Sequence, residues 1–156
     1  MKVFDIHAHI AADDLTMDKY VTSMDKHDVE AVLCHGVPDQ DYGYSRTNQH
    51  ILDAMKRHPG RIYGSPHIDL RLPLQQCIDE IDRSADAGCV SIKLFPNLGF
   101  DPNDEAFEPM WRKVEERGLA CLSHCGWLLL NSRNPGMRIH SLTATPFHFE
   151  VPARRH

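Results

Sequence analysis

The sequence predicts an α/β chain of parallel βα units, an incomplete (β/α) barrel of the TIM type, and three observations predict it. Short apolar runs alternate with amphipathic helical runs. The connections between them are short, as parallel strands crossed over by helices require. Taking Val3, Ala31, Ile62, Val90 and Leu119 as landmarks, the strands recur every 28, 31, 28 and 29 residues, the kind of regular period that marks a repeated structural unit. Eight such units would need about 240 residues, close to the size of a complete barrel. The 156 residues hold about five and run out where a sixth strand should begin, so residues 1–156 are expected to form one domain, the N-terminal portion of such a barrel.

Each element has its own signal. Val3–His9 is an apolar strand running directly into His7 and His9. Thr16 is expected to cap a helix whose Met17, Tyr20, Val21 and Met24 follow the i, i+3, i+4, i+7 spacing. Glu30–Gly36 reads as the second strand, and a helix carrying Ile51, Leu52 and Met55 ends at His58-Pro59-Gly60. Arg61–Ile68 is the third strand. Pro73 opens a helix with a stripe of Leu74, Cys77, Ile78, Ile81 and Ala85, which Gly88 closes. Cys89–Phe95 is the fourth strand. Pro109 suits a first helical turn, Met110, Trp111 and Val114 form that helix's buried face, and Leu119–His124 is the fifth strand.

Composition narrows the function classes. At 42% hydrophobic and 25% charged residues the chain is an ordinary globular one, and a net charge of −5 offers no basic patch for nucleic acid. No apolar run approaches the roughly 20 residues of a membrane span, and the first strand starts too early to leave room for a signal peptide. A cytoplasmic protein with a small-molecule substrate is expected, with no nucleic-acid or membrane partner. The unpaired edges of an interrupted barrel lead one to expect a homo-oligomer. The five cysteines, odd in number, read as reduced thiols; a structural zinc site from Cys121, Cys125, Cys34 and His35 is the weaker reading of them.

Histidine carries the chemistry. It occurs 11 times in 156 residues, yet four of the five strands carry one at the C-terminal end: His7 and His9, then His35, His67 and His124. In parallel α/β folds the ligand site lies at those ends. Two residues apart on a strand, His7 and His9 face the same way, and paired imidazoles suit zinc and its neighbours. A core histidine satisfied by one hydrogen bond is the competing reading for each, but it gives no reason for recurrence at one level. His35 and His67 are candidates for substrate contact or for support of the ligands. Asp5 has the parity of the two histidines and is a candidate to hold one.

The segments Asp5-Ile6-His7-Ala8-His9, Lys93-Leu94-Phe95-Pro96-Asn97-Leu98-Gly99-Phe100 and Ser123-His124-Cys125-Gly126-Trp127 resemble the metal-dependent hydrolases of the amidohydrolase superfamily. The branch they are most similar to contains aminocarboxymuconate semialdehyde decarboxylase and related aromatic-acid decarboxylases. The resemblance implies His7, His9 and His124 as ligands of a catalytic divalent ion, zinc or another such as manganese. It implies hydrolysis or decarboxylation of a small acidic substrate, aromatic acids included, through a metal-bound water or a metal-oriented substrate. The pattern also calls for a histidine on strand six and an aspartate on strand eight. Water or a substitute carboxylate such as Asp69 is expected in the vacant position.

His67 and Lys93 are the candidate catalytic residues. Lys93 reads as a lysine binding an acidic substrate in preference to a carboxylated metal bridge. His35, Arg46 and Trp127 are the candidate substrate contacts, the last two expected in loops above the site. Two alternatives stand beside this reading. One is a non-catalytic metal-binding subunit or remnant. The other is a doubly wound domain binding a phosphorylated ligand, which the lack of a glycine-rich loop after strand one disfavours.

Overall fold

A computed structural model describes residues 2–9, 14–38, 44–126 and 144–156, with side chains left aside at 14–16 and 44–46. Among the described residues five strands and five helices alternate: β1 (Val3–His9), α1 (Asp14–Lys26), β2 (Val29–His35), α2 (Tyr44–Arg57), β3 (Ile62–Ser65), α3 (Leu74–Asp86), β4 (Ser91–Leu94), α4 (Glu108–Glu116), β5 (Ala120–Ser123) and α5 (Glu150–Arg155). Strands β1, β2 and β3 pair in parallel in chain order, and so do β4 and β5. The two ladders meet at the end of β3, where His67 bridges Lys93 in parallel and the Lys93 backbone takes the Pro66 carbonyl at 2.8 Å and gives its own carbonyl to Ile68 at 2.9 Å. Neighbouring strands are therefore consecutive ones. A doubly wound sheet would reverse direction after its first strand, so that reading is excluded for these five.

The helices form where the sequence spacing puts them, with small shifts. Helix α1 begins at Asp14, which places Thr16 inside its first turn and not at the cap. Met17 and Met24 are buried, and Asp28 takes φ +56° just past the helix, a left-handed turn that a short polar side chain tolerates. Pro109 sits in the first turn of α4, and Gly118 ends that helix at φ +62°. Arg46 lies in the first turn of α2, so it is on a helix and not in a loop. Strands β3, β4 and β5 are each shorter than their apolar runs, leaving His67 and His124 just beyond the ladder.

Two apolar clusters lie between strands and helices. Ala8, Val32, Cys34 and Ile62 pack with Met17, Met24, Ile51 and Ala54. Ile68, Ile92 and Leu94 pack with Cys77, Ile81, Met110, Trp111 and Val114. The strand residues between these positions point to the opposite, inner face. Cys34 belongs to the first cluster, so it is turned away from its neighbour His35, and a zinc site using both is ruled out. All five cysteines are free thiols, and burial raises those of Cys34 and Cys89 to about 12. Among the described residues no helix is long and apolar enough to cross a membrane.

One close approach fixes how β2 meets the end of β3. Gly36 donates to the Ser65 carbonyl at 2.9 Å, and a Cβ there would stand 2.6 Å from the His67 backbone nitrogen and 2.8 Å from Asn48 Oδ1. Backbone cannot swing aside as a flexible side-chain tip can. Gly36→Ala is expected to lower unfolding free energy by about 2–3 kcal/mol in urea titration; an unchanged midpoint would show that this contact is not tight.

Candidate metal centre

The inner face collects the polar side chains that the apolar clusters exclude. His7 Nε2 and His9 Nε2 stand 3.1 Å apart, with ring centroids 5.0 Å apart. Two nitrogens bound to one ion at roughly 2.0–2.1 Å must lie within about 4.2 Å of each other, so the pair meets that condition. His35 packs its ring edge against His7 at 5.1 Å and lies 5.8 Å from His9. Its Nε2 is 3.0 Å from the Ile6 carbonyl. A carbonyl only accepts, so Nε2 carries the proton and Nδ1 is left as a lone pair, buried and without a partner.

The third strand end is held by a helix side chain. Asn48 of α2 accepts from the His67 N–H at 2.8 Å through Oδ1 and donates through Nδ2 to the His67 carbonyl at 2.9 Å. It thus pairs with the chain much as a neighbouring strand would. Asn48 Nδ2 also donates to Glu80 at 2.7 Å, and Arg83 clamps Glu80 with two bonds of 2.7 and 2.8 Å. The backbone so fixed presents the buried His67 ring edge-on to Phe95 at 5.2 Å. On the other side His124 stacks on Phe95 at 5.5 Å, its own N–H donated to the Leu94 carbonyl.

Lys93 lies on this face because Ile92 and Leu94 on either side of it pack toward α3 and α4. It is fully buried, and its Nζ sits 5.1 Å from the centre of the Phe95 ring.

The electrostatics follow from burial. Desolvation pushes His35 down to about 4, with the charges of Lys93, His7 and His9 adding to it and the Ile6 carbonyl opposing it. Desolvation likewise takes His67 to about 4 against the attraction of Asp69. His9 is lowered first by burial and then by Lys93, His7 and His124, which places these groups within electrostatic reach of one another. Lys93 itself is lowered by burial. Burial thus biases His9, His35 and His67 toward the neutral imidazole, the form that binds a metal.

Several expectations change here. Among the described residues no group of three or more His, Cys, Asp or Glu side chains is found clustered about one point. The β1–β2 pairing slips between Asp5 and Ala8, adding one residue to β1. The slip breaks strict alternation, and Asp5 faces α1. Its Oδ1 accepts from the His7 backbone N–H at 3.0 Å and its Oδ2 from the Tyr20 hydroxyl at 2.9 Å. Asp5 thus anchors the backbone of His7 and not its ring. Asp69 is clamped by Arg71 at 2.6 and 2.8 Å and is no substitute ligand. Trp127 lies outside the described residues, and the side chain of Arg46 is likewise undescribed. Asn48 and Glu80 were not foreseen, although each falls on the apolar stripe of its helix, beside Ile51 and Leu52 and beside Cys77 and Ile81.

Residues 4–156 match the family described as Amidohydrolase. The chain belongs to the amidohydrolase family. Its structure is similar to that of IDCase from Metarhizium anisopliae in apo form, with a TM-score of 0.69 at 17% identity over 99% of this chain and 60% of that one. It is similar to 2,6-dihydroxybenzoate decarboxylase from Rhizobium, with a TM-score of 0.65 at 16% identity over 94% and 58%. It is also similar to 5-carboxyvanillate decarboxylase from Novosphingobium aromaticivorans with bound manganese, with a TM-score of 0.59 at 21% identity over 69% and 34%. The chain thus spans less than two thirds of each of these proteins. At such identities the likeness carries the fold, not the chemistry. No curated protein matches the chain.

The buried neutral imidazoles make stability depend on pH in one direction. An unfolded histidine titrates near 6.5 and a folded His35 near 4, so its burial costs nothing above the unfolded value and is penalised as pH falls between the two. From pH 7 to pH 5 this group alone should remove about 2 kcal/mol of stability. His35→Gln, which keeps a donor for the Ile6 carbonyl, should lose about that much less over the same drop in urea titrations. Equal losses in parent and variant would show that His35 is not buried as the neutral form.

Proposed function

We propose that the chain is the metal-binding part of a hydrolase or carboxy-lyase acting on a small acidic substrate, built on the first five βα units of a TIM-type barrel. Membership of the amidohydrolase family supports the class of enzyme. The observation that carries the reading is the His7–His9 pair, two imidazole nitrogens 3.1 Å apart at a strand end. These two would hold one divalent ion, with His124, on the same face, as the next ligand. Zinc suits imidazole donors, and one structurally similar decarboxylase holds manganese.

When bound, the ion supplies Lewis acidity, polarising a substrate oxygen or making water a better nucleophile near neutral pH. The chain's own residues do the rest. Asp5 and Tyr20 fix the backbone that carries His7, and His35 buttresses both ligand rings from β2. The Phe95 ring, flanked by His67 and His124, closes the floor of the site with apolar surface that keeps water away. The low basicity of His67 leaves it neutral at pH 7, able to accept a proton or to donate one from its other nitrogen.

Metal analysis after dialysis tests the reading. The parent should retain a divalent ion, and His7→Ala should bind it about 10–100-fold more weakly. Equal retention by the variant would contradict the proposed seat.

A further inference from the structure

We infer that the Lys93 ammonium is the seat of a carboxylate, the anionic group of the small acid that this site takes. The inference rests on the proposed function only in calling that acid a substrate; the binding itself needs no metal.

Three observations lead there. Lys93 is 0% exposed, and its Nζ has no hydrogen-bond partner among the described residues. A lysine has three donors, and leaving them unmet away from water is costly, so such an amine persists where something else repays it. Second, no carboxylate among the described residues acts on it: the two nearest the site, Asp5 and Asp69, are spent on Tyr20 and Arg71. The groups that meet it are instead the Phe95 face and the Cys121 and Cys125 side chains.

Third, β4, which carries it, lies between β3 and β5, bridged to the chain at the end of the one and paired with the other. The amine therefore stands centrally among the strand ends and not at a margin of the sheet. A divalent ion at His7 and His9 would add positive charge beside it. Two cationic centres without a protein counter-charge are reconciled by an anion between them, and a carboxylate fits, since one oxygen can accept from Lys93 while the rest of the molecule extends toward the imidazoles.

Benzoate is a suitable probe, with benzamide as its uncharged equivalent. Both are titrated by calorimetry into the full chain stripped of metal with a chelator. Benzoate should bind at least about tenfold more tightly than benzamide, and Lys93→Met should bring benzoate down to the benzamide level while leaving benzamide unchanged. The variant should retain the divalent ion, and its melting temperature should not fall, because a buried unpaired amine is removed. His7→Ala should hold the ion more weakly and keep benzoate, which separates failure of this inference from failure of the metal reading. Benzoate that fails to bind the parent, or binds no better than benzamide, overturns the inference without recourse to any variant. So does undiminished benzoate binding by Lys93→Met.

Discussion

Everything in this chain depends on the two-residue repeat of a parallel strand, which sends neighbouring side chains to opposite faces. Val32 and Cys34, or Ile92 and Leu94, bind the helices to the sheet. The residues between and beside them are thereby forced onto the inner face, where His35 and Lys93 could not remain if the apolar layer did not hold the register. A slip of one residue would exchange the layers, burying an amine among Met110 and Trp111. The packing energy of the outer layer is thus what keeps the polar site assembled, and the consecutive strand order stacks one contribution after another at the same level.

Where alternation is strict, the site is legible from the residues. His7 and His9 were expected to converge and do, and Lys93 follows from its apolar neighbours. Where alternation breaks, the reading fails for a physical reason. The slip in β1 is a backbone event with no residue signature, and it turns Asp5 toward Tyr20. The sequence places Arg46 in a loop above the site, yet α2 starts at Tyr44 and puts it on a helix. Asn48 and Glu80 show the opposite case. Their positions on apolar stripes were visible, but what Asn48 satisfies is the His67 backbone and the Glu80 carboxylate, partners distant in sequence that only the fold brings near.

The site's electrostatic character comes from what it lacks as much as from what it holds. Asp5 is turned toward α1 and Asp69 is clamped, His35 and His67 are kept neutral by desolvation, and the buried Lys93 amine faces an aromatic ring. Neutral imidazole at the strand ends can ligate a cation, while the unmatched amine attracts an anion. A face that offers both is arranged for a charged small molecule held against a metal ion, which is the arrangement proposed for this member of the amidohydrolase family.

The claim at the centre is that His7 and His9 together ligate one ion. X-ray absorption at the metal edge of the zinc-loaded chain addresses it directly. The account predicts a first shell of nitrogen at about 2.0–2.1 Å with the outer-shell scattering of at least two imidazole rings. A first shell of oxygen without imidazole scattering, or one of sulfur at about 2.3 Å from the cysteines, would contradict it.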